Sequence, residues 1–319
     1  MVKRPKIDNR LRPIATEALD MNLEKLNAQC AIEELQFVEG PGGLIMAEVS
    51  NEHAKARIST YSGQVLSFQP HGEEDLLFVS KLAYFQPGKA IRGGMPVCWP
   101  WFGPDPEGKG RPGHGFVRTA QWEVLLTQQM ENGATRLRLG ITENDETLAA
   151  WPRNFALALE VTVGRQLDVT LITINTEESD LTLTQALHTY FKVGDIARVA
   201  VEGLDGRIYI DKMDDAKEKH QQGVVTISEQ TDRIYIDVSG DLVISDPSLS
   251  RRIRIRSEGS NSAVVWNPWI EQSAEMGDLG DEEYKQMICV ETTNAGRDQV
   301  TVPGNGEYRL SLSYSLEGD

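Results

Sequence analysis

An all-β fold, a large antiparallel β-sandwich of one domain with a few short helices, is what this sequence predicts. Segment after segment alternates apolar and polar residues with a period of two. Clusters of Gly, Asn, Asp and Ser separate those segments. Runs with a helical period are few and short. Strict alternation with one polar face belongs to antiparallel sheets, which pack one side and wet the other. Many such strands bury their apolar faces by stacking in two layers.

Taken in order, Ile14–Leu35 carries a helical pattern, one or two helices with Thr16 or Asp20 as caps, so residues 1–35 read as a helical extension. Thr135–Ile141 places Leu137, Leu139 and Ile141 on one face, and Leu157–Val163 does the same with Leu157, Leu159, Val161 and Val163. Leu167–Ile174, Arg233–Val238, Arg252–Arg256 and Tyr308–Leu316 alternate likewise. Glu131-Asn132-Gly133, Ser239-Gly240-Asp241 and Gly304-Asn305-Gly306 supply turns between strands. Leu181–Leu187 reads as an apolar-rich strand and Asp281–Met287 as a short helix. Asp211–Gln222 (DKMDDAKEKHQQ) is the most polar run and reads as an exposed loop with little claim to function. No break in composition marks a boundary, so 1–319 is expected to form a single domain.

The totals narrow the function. The 48 acidic residues exceed the 32 basic ones for a net charge of −16, a field that disfavours nucleic acid and anionic membranes as partners. An anionic substrate would have to meet a local basic pocket. Three cysteines, Cys30, Cys98 and Cys289, are odd in number and widely spaced, which fits reduced thiols in the cytoplasm rather than a disulfide framework or a zinc ribbon. The basic N-terminus is followed by no apolar stretch, so no signal peptide is expected, and no run reaches the 18 or so apolar residues of a membrane span.

The segment Ile91–Arg118, IRGGMPVCWPWFGPDPEGKGRPGHGFVR, departs from this pattern. Its prolines, Pro96, Pro100, Pro104, Pro106 and Pro112, and its many glycines suit neither a helix nor a central strand. Yet it holds Trp99, Trp101, Phe102 and Phe116, together with Arg92, His114 and Arg118. A long ordered loop rich in aromatics suits a binding wall; the plainer reading is a stiff loop that plugs the core. Trp99, Trp101, Trp266 and Trp269 fit either sugar-ring stacking or core packing.

Of five histidines, His53, His71 and His220 sit in polar, turn-like contexts. His114 lies between Gly113 and Gly115, where backbone can approach a ligand closely. His188 follows the Leu181–Leu187 strand in ALHTYFKV, so its imidazole is expected to be at least partly buried. Glu291 in MICVETTN shares a strand face with Cys289, opposite Ile288 and Val290. A carboxylate there needs partners or a raised pKa, an environment that can produce a general base near neutral pH. A satisfied core histidine and a strand-end glutamate reaching solvent are the structural alternatives. Motifs for dinucleotides, P-loop phosphates, nucleophilic serine and HExxH zinc are missing. The His and Cys spacing suits no metal site.

The ordered set RGGMPVCWPWFGP, HGFVR, HTYF, TDRIY, VVWNPW and MICVE, from Arg92 to Glu291, resembles the hexose-6-phosphate mutarotases, or glucose-6-phosphate 1-epimerases, of the aldose 1-epimerase superfamily. The resemblance implies a galactose-mutarotase-type sandwich that interconverts the α and β anomers of a phosphorylated aldohexose, with no cofactor. It implies His188 as general acid and Glu291 as general base. His114 and Asp232 would bind sugar hydroxyls or polarise the ring oxygen, and Arg92 and Arg118 would meet the phosphate. Gln86, Lys89 and Trp269 are less firmly anchored, as contacts or wall. Nothing in the resemblance requires an oligomer. A non-catalytic phosphosugar sensor, a mutarotase for unphosphorylated aldoses and a polysaccharide lyase or hydrolase are the competing readings.

Overall fold

The computed structural model describes residues 23–317. Antiparallel strands dominate it, in four sheets. A four-stranded meander, Leu35–Glu39, Ile45–Ser50, Ala54–Ser59 and Gln64–Pro70, comes first in the chain. A nine-stranded sheet runs in the order Val225–Thr226, Ala200–Glu202, Leu242–Asp246, Arg251–Glu258, Glu307–Leu316, Leu167–Asn175, Phe155–Val163, Thr135–Thr142 and Glu123–Gln129. An eight-stranded sheet runs Lys217–His220, Ile208–Asp211, Thr231–Ile236, Ser262–Asn267, Met287–Asn294, Gln185–Leu187 and Val97–Cys98, with Tyr190–Lys192 also paired to Met287–Asn294. Leu181–Leu183 and Val300–Val302 form a separate pair.

The alternating segments behave as their pattern demands. Leu137, Leu139, Leu157, Leu159, Val161, Leu310 and Leu312 face one buried cluster shared with Val265, Ile288 and Val290 from the eight-stranded sheet. Each such fully buried side chain stabilises by about 1.5–3 kcal/mol. Polar links stitch the layers at points where a buried group needs a partner: Trp99 Nε1 donates to Thr173 Oγ1 at 3.0 Å, and the Thr189 and Tyr314 hydroxyls lie 2.7 Å apart. Trp99 and Trp101 are 0% and 4% exposed, which assigns both to packing rather than to a sugar wall.

Several local expectations change. Leu181–Leu187 breaks at Thr184 into Leu181–Leu183 and Gln185–Leu187, which join different sheets, and the Thr184 hydroxyl accepts the Phe102 N–H across the break. Asp211–Gln222 is not a loop: Ile208–Asp211 and Lys217–His220 pair as a hairpin at the edge of the eight-stranded sheet. An edge strand wet on both faces needs no apolar residues, so its polarity hides it. At the N-terminus a helix spans Leu23–Cys30, with Asn27 accepting from and donating to the Phe37 backbone; the candidate caps Thr16 and Asp20 lie outside the described residues. The short helix expected at Asp281–Met287 is a 3-10 turn over Glu283–Gln286. No helix among the described residues is long and apolar enough to cross a membrane.

Candidate active site

The face of the eight-stranded sheet that points away from the main core carries an unusual row of residues. Strand register sets Tyr190 opposite Cys289, Cys289 opposite Trp266, and Trp266 opposite Asp232. Glu291, two residues beyond Cys289, projects to the same side because side chains alternate along a strand. Ile288 and Val290 take the opposite side, into the core. The same alternation applies after Leu187: Thr189 and Phe191 are buried against Tyr314, while His188 and Tyr190 face the row.

The Pro/Gly segment fixes these last two. Its backbone carbonyls at Pro96 and Gly94 accept the His188 and Tyr190 N–H groups at 2.9 and 2.8 Å. Two of its glycines are required by geometry. Gly93 has φ +114 and Gly115 φ +72, and a Cβ on Gly115 would sit 1.8 Å from the Trp99 carbonyl oxygen. His114 itself adopts φ +62, uncommon for a residue with a side chain. The close turn at Gly115 carries the His114 ring to within 5.6 Å of the His188 ring.

His188 Nε2 lies 3.4 Å from Glu291 Oε1, with side chains 12% and 1% exposed. Among the described residues, His188 Nδ1 and Glu291 Oε2 are buried and have no hydrogen-bond partner in the protein. Burial pushes the Glu291 carboxyl well above its usual range, and Asp232 adds to this while Lys212 opposes it. Burial likewise pushes His188 well below the usual imidazole range, with His114, Arg118 and Arg92 acting in the same direction. Both shifts favour neutral forms, so between the lowered imidazole value and the raised carboxyl value the pair holds a single shared proton.

His114 is pushed down to about 3, by burial first and then by Arg118, Lys212 and Arg92. It is therefore neutral. Its Nδ1 accepts the Gly103 N–H at 3.3 Å, which leaves the proton on Nε2 and makes that atom a donor.

Three cations ring the row. Arg92 gives Nε and Nη2 to Asp278, each at 3.1 Å, and Nη1 to the Tyr190 hydroxyl at 2.9 Å. A guanidinium has five N–H groups, so two remain, one on each terminal nitrogen. Arg118 donates to the Gly113 carbonyl at 2.9 Å. Lys212 contacts Asp232 at 2.7 Å. Its proximity to Glu291 and His114 brings the polar hairpin into the site, a contribution that sequence reading misses. Asp278 is a further addition, and Trp266, one of the four tryptophans that fit stacking or packing, stands in the row between Cys289 and Asp232. Trp269 packs on Tyr284 at 5.3 Å, and Gln86 and Lys89 are exposed. No group of three His, Cys, Asp or Glu among the described residues is placed to hold a metal ion.

A β-sandwich with a buried imidazole–carboxylate pair under a ring of cations suits acid–base work on a small polar substrate. A family model described as aldose 1-epimerase matches residues 46–315, and the chain belongs to that family. Its members act on small sugars, and the relatives fall in line. A protein of Escherichia coli (strain K12) provisionally named glucose-6-phosphate 1-epimerase is 39% identical over 252 residues, 79% of this chain and 83% of that one. A Cenchrus ciliaris protein of the same provisional name is 34% identical over 292 residues, 88% of this chain and 87% of its own. The crystal structure of a Salmonella typhimurium protein described as a provisional mutarotase superposes with a TM-score of 0.83 at 32% identity, covering 93% of this chain and all of the other. A galactose mutarotase related enzyme from Lactobacillus acidophilus, 13% identical, shares the fold at a TM-score of 0.66, over 86% of this chain and 97% of that one.

Proposed function

We propose that this chain interconverts the α and β anomers of an aldohexose 6-phosphate, glucose 6-phosphate foremost. The observation that carries the reading is the buried His188–Glu291 pair at 3.4 Å, each partner keeping a polar atom that the protein leaves unpaired. Leaving such atoms unpaired costs about 1–3 kcal/mol each, and both belong to ionisable groups able to exchange a proton with a bound sugar. The provisional names of the two curated relatives support the phosphorylated substrate, as do the free N–H groups on Arg92 and the position of Arg118.

Mutarotation requires a proton to leave the anomeric oxygen O1 while another reaches the ring oxygen O5. The reacting form carries the shared proton on His188. Glu291 takes the O1 proton as His188 delivers its own to O5, and the C1–O5 bond breaks to give an open-chain aldehyde. Rotation about C1–C2 exposes the other carbonyl face. On closure the O5 hydroxyl attacks C1 and returns its proton to His188, while Glu291 gives its proton to O1. Proton count and charge are restored. Neutral His114 donates from Nε2 to a sugar oxygen, and Asp232 accepts from a sugar hydroxyl. Arg92 and Arg118 hold the phosphate, where charge-assisted bonds are strongest.

Polarimetry tests this. A solution enriched in the α anomer of glucose 6-phosphate should relax to its equilibrium rotation much faster with trace protein than without. An unchanged relaxation rate with folded protein rejects the reading.

A further inference from the structure

The phosphate-binding arginine and the reacting imidazole are joined through one side chain. The Tyr190 ring stacks on the His188 ring at 5.0 Å between centroids with the planes only 11° apart. The other rings beside His188 meet it at steep angles: His114 at 68°, Trp266 at 77° and Phe102 at 53°. Among the described residues, Tyr190 therefore supplies the one parallel face against which the imidazole plane is set. Its own hydroxyl accepts from Arg92 Nη1 at 2.9 Å, and the Asp278 carboxylate accepts from Nε and Nη2 of the same guanidinium at 3.1 Å each.

We propose that Tyr190 is a positioning residue that transmits phosphate binding at Arg92 to the orientation of the His188 imidazole. The proposal rests on the phosphosugar reading above. A phosphate that takes the two remaining Arg92 N–H groups completes the guanidinium's five bonds and locks its plane. The locked Nη1 fixes the Tyr190 hydroxyl, the hydroxyl fixes the ring, and the ring holds His188 with Nε2 towards Glu291 and the acetal. An unphosphorylated sugar leaves two Arg92 N–H groups to water, and the chain of contacts stays loose at that end. The phosphate then contributes to turnover as well as to binding, which is how remote binding energy raises kcat. Tyr190 is buried, with little room to take another rotamer, so a small movement at its hydroxyl is passed to the stacked face.

Tyr190→Phe keeps the stacked ring and removes the hydroxyl. With glucose 6-phosphate, kcat should fall roughly tenfold, the loss of one hydrogen bond to a charged group. KM should change little, and the loss on free glucose should be about tenfold smaller than on the phosphate ester. Equal losses on both substrates make Tyr190 merely structural and overturn the proposal, as does an unchanged kcat. A second measurement needs no variant: inorganic phosphite, the detached dianion, should raise the exchange rate of free glucose by wild-type protein. Failure of phosphite to activate also overturns the proposal. A wild type that exchanges glucose 6-phosphate no faster than glucose rejects the phosphosugar reading itself, a separate outcome.

Discussion

Replacing Glu291 by glutamine keeps the side chain's size and removes its ability to take a proton. The site predicts a large kinetic loss without a folding loss. A positioned general base contributes typically 10²–10⁴-fold, about 3–5 kcal/mol of barrier at 1.36 kcal/mol per tenfold. A glutamine amide has the same reach and can keep the 3.4 Å contact to His188, so the loss belongs to the proton and not to collapse of the pocket. Stability moves the other way. The folded carboxyl binds its proton more tightly than the unfolded reference of 4.5. Wild-type protein thus holds this group's contribution fully below about pH 4.5 and loses it as pH rises towards the folded value. Glu291→Gln has no such loss, so its melting temperature relative to wild type should climb from pH 5 to pH 8, on the order of degrees. Activity is read by proton NMR exchange between anomers of equilibrated glucose 6-phosphate, and stability by thermal unfolding across that range. A folded variant that turns over within about threefold of wild type refutes the assignment of Glu291 as base.

Other consequences follow from the same geometry. Arg118→Ala should raise KM for glucose 6-phosphate by roughly 10–100-fold, the worth of a hydrogen bond to a charged group, while steady-state rates on free glucose stay near wild type. Because His188 is held low and Glu291 high, kcat/KM for glucose should form a broad plateau in which the pair keeps one proton. The acid limb marks addition of a second proton and the alkaline limb loss of the last, and an alkaline limb near the ordinary carboxylate value of 4.5 contradicts the raised Glu291. Gly115→Ala forces a Cβ within 1.8 Å of the Trp99 carbonyl oxygen at φ +72. It should cost at least about 1–3 kcal/mol in urea unfolding and reduce activity through displacement of His114.

Much of the fold is legible because antiparallel strands with one wet face must alternate. Thr135–Ile141, Arg252–Arg256 and Tyr308–Leu316 reappear as Thr135–Thr142, Arg251–Glu258 and Glu307–Leu316. Where both faces are buried or both are wet, the pattern fails. The strand Met287–Asn294 is buried at every position and is readable only from its length and apolar content. The Lys217–His220 strand is nearly all charged and conceals both a hairpin and the approach of Lys212 to the site. His188 and Glu291 stand out in sequence because each puts an ionisable group among buried neighbours. Asp278 gives no such signal: its meaning is its pairing with Arg92, 186 residues away in the chain. Register across four strands is what brings Tyr190, Cys289, Trp266 and Asp232 into one row, and register is a property of the assembled sheet.

The most direct test of the account is the ratio of kcat/KM for glucose 6-phosphate to that for free glucose, measured on wild-type protein by NMR anomer exchange at one pH. Two arginines beside a buried acid–base pair predict a ratio of at least about 10²–10³, from one or two charge-assisted phosphate contacts. A ratio near one, with fast exchange of both sugars, would leave the His188–Glu291 chemistry standing and contradict the phosphate site.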